Sequence, residues 1–416
     1  MGNIVKNIDF ENIKCRLCGS EEFELLIDLG DLPIAHRYVE RAHNIEEKYS
    51  YKVHSCTMCN LHQILEPIPE DILYKDYNYC FTAWKPEPHR KTQLEFFKSI
   101  STGGGVFEIG CNDGTFLEAL KLEGFDVCVG VEPNPLSGKL AKDKGFDVYQ
   151  DLLTPEISSD AVQKYGQFDN VVSRHVIEHI PDLYNFFTCV DMILKPGGVI
   201  MLDAPDCEAA LAMGDASVLW EEHVNYFTDA TMKAMLRGFG YKVIDINRYL
   251  FTGESLTVIA QKANTSEHEQ GEFDINIADI GKPRTNGYHE KMNRYARELR
   301  EELAARKRKG EAVILFGVGA RGTMAVNALG LKDGIDAAFD DQPEKQGMYM
   351  PGSGLAICDP NTISDFNRPI TCLLAVNNEN EEVVMKRLRD LSSQNITFAS
   401  LFSPKDIWHE LATLRG

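Results

Sequence analysis

The chain has 416 residues, of which 44% are hydrophobic and 25% are charged, and its formal net charge is -20. This length allows two or three packed domains, and the composition is that of a globular protein. The negative charge argues against a nucleic-acid partner, because binding a phosphate backbone requires clustered Lys and Arg. The chain has neither an apolar run of the roughly 20 residues that cross a bilayer nor the apolar core of a signal peptide. We therefore expect a cytoplasmic protein without a membrane partner.

Residues 1–75 carry two Cys-x2-Cys pairs, Cys15 with Cys18 and Cys56 with Cys59, among short alternating apolar stretches. This pattern predicts a small β-rich zinc-binding domain. Four thiolates in two turns form a closed tetrahedral set, which is typical of structural zinc. The alternative is four unrelated buried cysteines, and the regular spacing favours zinc.

Beyond residue 103 the apolar pattern changes to that of an α/β domain. Strand candidates alternate with helical stretches; the strands are at 105–109, 126–131, 169–173 and 198–203, and the helices at 114–122, 136–143 and 183–194. This alternation predicts a doubly wound, Rossmann-like sheet whose strands are mostly parallel. We place this domain at residues 76–265.

A polar segment at residues 264–283 predicts a linker to a third domain. A long charged helix is predicted at 286–309, and apolar strand candidates follow at 312–316, 335–340 and 370–376. This order predicts a second Rossmann-like α/β domain at residues 284–416.

The loop after the first strand of the middle domain reads Glu-Ile-Gly-Cys-Asn-Asp-Gly-Thr, from Glu108 to Thr115. Gly110 and Gly114 allow a sharp bend and a close approach to a ligand, and the next helix offers free N–H groups. Glu132 ends the following strand, where a carboxylate can accept hydrogen bonds from a ribose diol. We interpret the loop as a site for S-adenosylmethionine. A dinucleotide-dependent dehydrogenase is the alternative, although the third glycine of its fingerprint is missing.

Two histidine clusters follow strands of the same predicted sheet. His175 and His179 come after the strand at 169–173, and Glu222 and His223 come after the strand at 198–203. Loops at the carboxyl ends of parallel strands line the ligand crevice, so both clusters are candidates for proton transfer. Taken alone, each cluster is more often a hydrogen-bonded structural group on a loop.

The C-terminal domain has its own glycine motif, Gly-Val-Gly-Ala-Arg-Gly, at residues 317–322. It lies between a strand and a helix, as a dinucleotide fingerprint does, and Arg321 would add positive charge near a diphosphate. A tight strand-to-helix turn without a ligand explains the same pattern, and both interpretations stay open at this point.

The order of these motifs resembles the three-domain sugar C-methyltransferase family, which acts on nucleotide-linked 4-keto-deoxysugars. The resemblance rests on the four cysteines, the Glu108–Thr115 loop, His-Ile-Pro-Asp from His179, Glu-His-x-x-Tyr-Phe from Glu222, and the glycine motif at 317–322. It implies structural zinc, S-adenosylmethionine in the middle domain, and a nucleotide-linked sugar substrate between the middle and C-terminal domains. We further expect a monomer or a weak dimer.

The resemblance also implies residue roles. His223 would be the base that removes a proton from the carbon next to the ketone, with Glu222 holding it, and His179 and Tyr79 would stabilise the enolate oxygen. The donor pocket would be formed by Glu108, Gly110, Asn112, Asp113, Gly114, Glu132, Pro133 and Ser173. The acceptor pocket would be formed by Tyr77, Trp220, Asn225, Arg321 and Asn377.

Three positions depart from the pattern of this family. Trp220 stands where the family usually has Tyr, and an indole can neither accept a hydrogen bond nor ionise. Ser173-Arg174-His175 replaces neutral amides, and Ala375-Val376 precedes Asn377 where the family tends to have Trp. Parts of the sequence also fit O- or N-methylation of a related sugar, a nicotinamide-dependent oxidoreductase, or a binding protein without turnover.

Overall fold

The computed structural model describes residues 13–42, 46–73, 87, 89–101, 103–251, 253–264, 287–402 and 406–415. The strands, in chain order, are β1 (Phe23–Leu32), β2 (Tyr49–Cys56), β3 (His62–Ile64), β4 (Val106–Ile109), β5 (Cys128–Val131), β6 (Asp147–Tyr149), β7 (Phe168–Arg174), β8 (Leu194–Pro205), β9 (Asn225–Tyr226), β10 (Tyr241–Leu250), β11 (Glu254–Lys262), β12 (Ala312–Phe316), β13 (Ala337–Phe339), β14 (Ile357–Cys358), β15 (Ile370–Leu374) and β16 (Ile396–Ser400).

The helices, in chain order, are α1 (Glu70–Leu73), α2 (Arg90–Ile100), α3 (Thr115–Leu122), α4 (Pro135–Asp143), α5 (Pro155–Tyr165), α6 (Leu183–Ile193), α7 (Glu208–Met213), α8 (Asp229–Gly238), α9 (Tyr288–Arg308), α10 (Ala320–Ala328), α11 (Asn378–Leu391) and α12 (Ile407–Arg415). Several starts follow from the local sequence. Asn134 and Thr154 each cap a helix whose first residue is proline, and their side chains accept backbone N–H bonds from the first turn.

The N-terminal unit is a four-stranded sheet in the order β1-β2-β3-β9. Its fourth strand comes from the middle of the chain, because Gln63 pairs with Asn225 and His62 pairs with Tyr226. The expected β-rich unit is therefore present, but it is completed by a segment that lies about 160 residues farther along the chain. The segment enters this sheet at Asn225, two residues after His223.

The central sheet has seven strands in the order β10-β11-β8-β7-β4-β5-β6. β4 pairs in parallel with β5 and β7, and β7 pairs in parallel with β8, as the sequence predicts. β11 runs antiparallel to β8 and β10, so one edge of the sheet is an antiparallel hairpin. The short strand β6 and this hairpin are additions to the four strands predicted from sequence.

The C-terminal sheet has five parallel strands in the order β14-β13-β12-β15-β16. The expected α/β domain is confirmed, and its leading charged helix is α9. Most of the predicted linker, residues 265–283, lies outside the described residues. No helix within the described ranges is long and apolar enough to cross a membrane.

The N-terminal sheet and its two cysteine turns, called the zinc unit below, pack against both of the other domains. One hydrophobic core joins Tyr51 and Val53 of β2 to Leu299 of α9 and Leu315 of β12. A second core joins the cysteine end of the unit to β4 and to Phe227 beside β9. The unit therefore bridges the central and C-terminal domains on the side where β9 lies.

Candidate active site and its zinc-bound scaffold

The four predicted zinc ligands converge. Cys15 Sγ lies 3.5 Å from Cys59 Sγ, Cys18 Sγ lies 3.5 Å from Cys56 Sγ, and all four sulfurs lie within 4.8 Å of one another. Tetrahedral zinc with four thiolates spaces its sulfurs by about 3.8 Å, so the set fits the metal. In each turn a left-handed residue follows the second cysteine, with φ of 71° at Gly19 and 59° at Asn60.

The loop after β4 has the shape expected of a donor site. Gly110 and Gly114 have φ of 71° and 74°, and Asn112 has φ of 47°. A Cβ on Gly110 would meet Val176 Cγ2 at 2.4 Å, and one on Gly114 would meet Ala141 Cβ at 2.9 Å. Side chains are thus excluded at both glycines, and the backbone passes close to the end of the sheet.

Acidic side chains hold this loop and line the space beside it. Glu132 Oε2 accepts the N–H of Asn112 at 2.9 Å, and Glu132 Oε1 accepts the N–H of Asn134 at 2.8 Å. Burial raises the pKa of Glu132, and it raises that of Glu108 to about 8. Glu108 Oε2 and Ser173 Oγ are buried and have no hydrogen-bond partner among the described residues. These atoms are positioned to bind a polar ligand at the carboxyl ends of β4 and β7.

The other predicted donor residues lie on the same side of the sheet. Asp113 Oδ1 accepts the N–H of Thr115 at 3.2 Å, and Asp113 Oδ2 lies 3.3 Å from Lys144 Nζ. Pro133 is exposed just before α4. The predicted donor residues therefore surround the carboxyl ends of β4, β5 and β7.

The charged Ser173-Arg174-His175 segment was noted in the sequence, but the buried partners of its side chains were not predicted. Arg174 Nη2 lies 3.0 Å from Glu87 Oε1, and its guanidinium stacks on Phe116 at 4.3 Å. Asp203, on β8, accepts from Gln93 Nε2 at 2.7 Å. The only sequence signal for this layer was the unusual Ser173-Arg174-His175 segment, because its partners come from distant elements.

The two histidine clusters meet at one point. Glu178, His179 and His223 each have one side-chain nitrogen or oxygen atom that lies within 4.8 Å of those of the other two. His179 Nδ1 lies 2.8 Å from the backbone oxygen of Glu222, so Nδ1–H donates and Nε2 faces Glu178 Oε1 at 4.0 Å. The rings of His179 and His223 lie edge to face at 4.9 Å. Burial lowers the pKa of His223 to about 3, which leaves a neutral ring that can accept a proton.

The expectation that the Glu222 carboxylate holds His223 needs correction. Glu222 Oε1 lies 3.2 Å from His36 Nδ1, which belongs to the zinc unit, and Glu222 joins the histidine cluster through its backbone carbonyl. Glu178 provides the carboxylate in that cluster. Residues 221 and 222 form a turn in which the N–H of His223 donates to Trp220 O at 3.0 Å, and Glu222 and His223 have different side-chain neighbours.

A cleft with a volume of about 40 Å³ lies beside His223, between the central and C-terminal domains. Its lining includes Trp220, His223, Gly253 and Arg321, together with Phe402. Arg321 Nε donates to the backbone oxygen of Ser217 at 2.8 Å, and Arg321 Nη2 donates to Ser217 Oγ at 3.0 Å. Within the part of the chain that the structure describes, Arg321 Nη1 and Trp220 Nε1 are buried donors without a partner. Two predicted acceptor residues thus meet the predicted base in one cleft.

The remaining acceptor predictions have different outcomes. Asn225 Nδ2 donates to Ile180 O at 2.8 Å, so this side chain fixes the turn that carries His179. Asn377 lies just before α11 and is outside the lining of the cleft. Tyr77 and Tyr79 lie outside the described residues.

The backbone of the C-terminal glycine loop is hydrogen-bonded by the protein's own side chains at Val318. Asp340 Oδ2 accepts the N–H of Val318 at 2.7 Å, and Lys345 Nζ donates to Val318 O at 2.9 Å. Tyr38 of the zinc unit donates to the same carbonyl at 2.5 Å. These contacts favour the tight-turn interpretation of residues 317–322 over the dinucleotide fingerprint.

Family models match three consecutive stretches of the chain. A zinc binding domain matches residues 15–74, a methyltransferase domain matches residues 81–246, and a C-methyltransferase C-terminal domain matches residues 251–401. C-methyltransferase NovU from Streptomyces niveus is 25% identical over 393 residues, which cover 91% of this chain and 92% of that protein. The chain is an S-adenosylmethionine-dependent methyltransferase. The same matches support its placement among C-methyltransferases with a zinc-binding domain.

Two further similarities cover smaller shares of this methyltransferase. The ubiquinone biosynthesis O-methyltransferase of Escherichia coli O157:H7 is 28% identical over 118 residues, which cover 26% of this chain and 48% of that protein. A solved S-adenosylmethionine-dependent methyltransferase from Archaeoglobus fulgidus aligns with 42% of this chain and 94% of its own, at 18% identity and a TM-score of 0.33. The family models and NovU therefore carry the assignment.

Proposed function

We propose that this methyltransferase transfers a methyl group to the carbon next to the ketone of a nucleotide-linked keto-deoxysugar. The observation that carries the proposal is the cleft in which His223 of the central domain and Arg321 of the C-terminal domain line the same space. The similarity to C-methyltransferase NovU over 91% of the chain supports methylation at carbon.

The chemistry requires a base and an electrophilic methyl group. His223 would bind the proton from the acceptor carbon, and the electron pair of that C–H bond would move onto the ketone oxygen. S-adenosylmethionine supplies the methyl group, and the new C–C bond forms as the bond from methyl to sulfur breaks. His179, whose ring adjoins that of His223 but which is outside the lining of the cleft, would stabilise the enolate oxygen.

The cleft also offers contacts for the rest of the acceptor. Trp220 provides flat apolar surface that a sugar or base ring can stack on, and Phe402 supports the Arg321 guanidinium, which lies over its ring at 4.2 Å. Arg321 Nη1 is a buried cationic donor without a partner among the described residues, which suits a phosphate or a sugar oxygen. These two contacts support a nucleotide-linked sugar as the acceptor.

The proposal is tested with a panel of nucleotide 4-keto-deoxysugars incubated with the enzyme and S-adenosylmethionine. We expect a product heavier by one methyl group, with the new methyl on carbon by NMR. A methyl on oxygen or nitrogen would contradict it. In thermal-shift titrations we expect stabilisation by S-adenosylmethionine, and stabilisation by NAD(H) alone would favour an oxidoreductase.

The role of His223 is tested in His223→Ala. We expect this variant to bind the donor with unchanged affinity but to lose exchange of the acceptor's α-proton with deuterated solvent. Exchange at the rate of the unmodified enzyme would remove His223 from the base role. The matched control is His409→Ala, which replaces a histidine on α12, far along the chain from the cluster.

A further inference from the structure

A buried chain of charged side chains leads away from the His179 and His223 pair. Glu178 Oε1 lies 4.0 Å from His179 Nε2 and 3.5 Å from His175 Nδ1. On its other side, His175 Nε2 lies 3.5 Å from Asp203 Oδ2. In space, the carboxylate of Asp203, the imidazole of His175 and the carboxylate of Glu178 therefore follow one another. The series ends beside His223, the candidate base.

The backbone is bent to place this chain. His175 has φ of 52°, a left-handed conformation that is uncommon for a residue other than glycine. Its N–H donates to the backbone oxygen of Asp203 at 2.8 Å, which holds the ring between β8 and the turn at Ile177–His179. Strained backbone of this kind persists where surrounding contacts enforce it, and such positions are concentrated at functional sites.

Asp203 is itself held from several sides. Gln93 Nε2 donates to Asp203 Oδ2 at 2.7 Å, and the hydroxyl of Tyr249 donates to Asp203 Oδ1. Asp203 is fully buried and Glu178 is 2% exposed. Two buried carboxylates would be costly without cationic partners, so a protonated histidine between or beside them is favoured.

We propose that Glu178 is the positioning residue of the methyltransferase, stabilising His223 when it carries the acceptor's proton, and that His175 and Asp203 hold the Glu178 carboxylate in place. This inference rests on the proposed function for the identity of the base. It transfers to Glu178 the role that the sequence assigned to Glu222.

The electrostatics of the cluster agree with this assignment. Burial favours the neutral form of Glu178, but the neighbouring histidines 175, 179 and 223 outweigh it and hold its pKa at about 2. Burial also lowers the pKa of His175, yet Asp203 and Glu178 raise it above the ordinary value. The groups that face His223 are His179, Glu178, His175 and Arg321, and Glu178 is the anion among them.

The direct test is Glu178→Gln, which keeps the shape of the side chain and removes its charge. We expect α-proton exchange and kcat to fall on the order of 100-fold, with the affinity for S-adenosylmethionine unchanged and the acceptor KM within about threefold. The matched control is Glu301→Gln on the exposed side of α9. Exchange in E178Q within threefold of the unmodified enzyme would overturn the proposal.

A second measurement does not depend on the acceptor. In an NMR titration of the histidine ring nitrogens, E178Q should lower the pKa of His175, because an anion beside it is lost, whereas E301Q should leave it in place. An unchanged pKa of His175 would refute the proposed interaction between Glu178 and His175 even if no keto-sugar is methylated. If E178Q does not fold, His175→Asn carries the kinetic test, with an expected loss on the order of tenfold.

The measurements also separate this proposal from two others. One outcome is that the unmodified enzyme exchanges no α-proton of any keto-sugar while E178Q still lowers the pKa of His175. In that case the proposed function is refuted, and the interaction of Glu178 with His175 is supported. If each chain binds a second metal ion that is lost in E178Q, the cluster is a metal site and the positioning role is refuted.

Discussion

Arg16, inside the first cysteine turn, connects the zinc site to the strand beside His223. Its guanidinium donates to Ile64 O at 2.6 Å, to Val224 O at 3.3 Å and to Gln63 Oε1 at 3.4 Å. A short hydrogen bond from a charged donor contributes about 1.5–3 kcal/mol, and the two longer ones together add about 1 kcal/mol. Arg16→Met should therefore lower the free energy of unfolding by about 3 kcal/mol.

The same substitution should reduce activity more than it affects ligand binding. The bond to Val224 O restrains the residue that follows His223, and a loss of about 0.5 kcal/mol there corresponds to about a twofold fall in kcat. We expect one zinc per chain and an unchanged affinity for S-adenosylmethionine, because the four thiolates and the loop after β4 are untouched.

The assay combines chemical denaturation, zinc analysis, calorimetry with the donor and steady-state kinetics. Arg41→Met is the matched control, since Arg41 is exposed in the same unit. Full activity in R16M despite the loss of stability would refute the idea that the zinc unit aligns His223. Loss of zinc would mean that Arg16 acts on the metal site instead.

Three further predictions concern other parts of the molecule. Cys59→Ser should abolish zinc binding and lower the melting temperature of the protein, because structural zinc contributes about 10–16 kcal/mol in comparable sites; zinc retained at one per chain would contradict this. Glu108, with a pKa of about 8, is largely protonated at pH 7. Binding of the cationic donor beside it should lower that pKa and release protons, seen as a buffer-dependent enthalpy that Glu108→Gln abolishes. The hydroxyls of Tyr51 and Tyr226 lie 2.6 Å apart, and Tyr226 also donates to Trp220 O. Tyr226→Phe should therefore cost about 1–3 kcal/mol and Tyr51→Phe about 1 kcal/mol, and the reverse order in denaturation would refute this assignment of donors.

The parts of the fold that were predictable are those specified by local sequence. The cysteine turns combine fixed spacing with a following Gly19 or Asn60, and the strands β4, β5, β7 and β8 are mostly buried and contain apolar residues between helical stretches. The hairpin of β10 and β11 was not predicted, because β10 is largely exposed and lacks a continuous apolar run. The two-residue strand β9 has no periodicity and forms only by pairing with β3.

The candidate site shows the same division. Gly110, Gly114 and Glu132 could be placed from the order of strand, loop and helix. The carboxylate partner of His223 could not, because Glu178 and His223 come together only through packing of the turn at Ile177–His179 against the segment before β9. Adjacency in sequence favoured Glu222, whose side chain faces the zinc unit.

The pairing of β3 with β9 bears on how this enzyme can be engineered. A chimera that exchanges only residues before β4 would join a foreign β3 to the native β9, and mismatched register there would move His223. The unit of exchange is therefore discontinuous, since a donor N-terminal segment needs its own stretch from Trp220 to Phe227. Exchange of domains along their linear order would separate His223 from the strand that positions it.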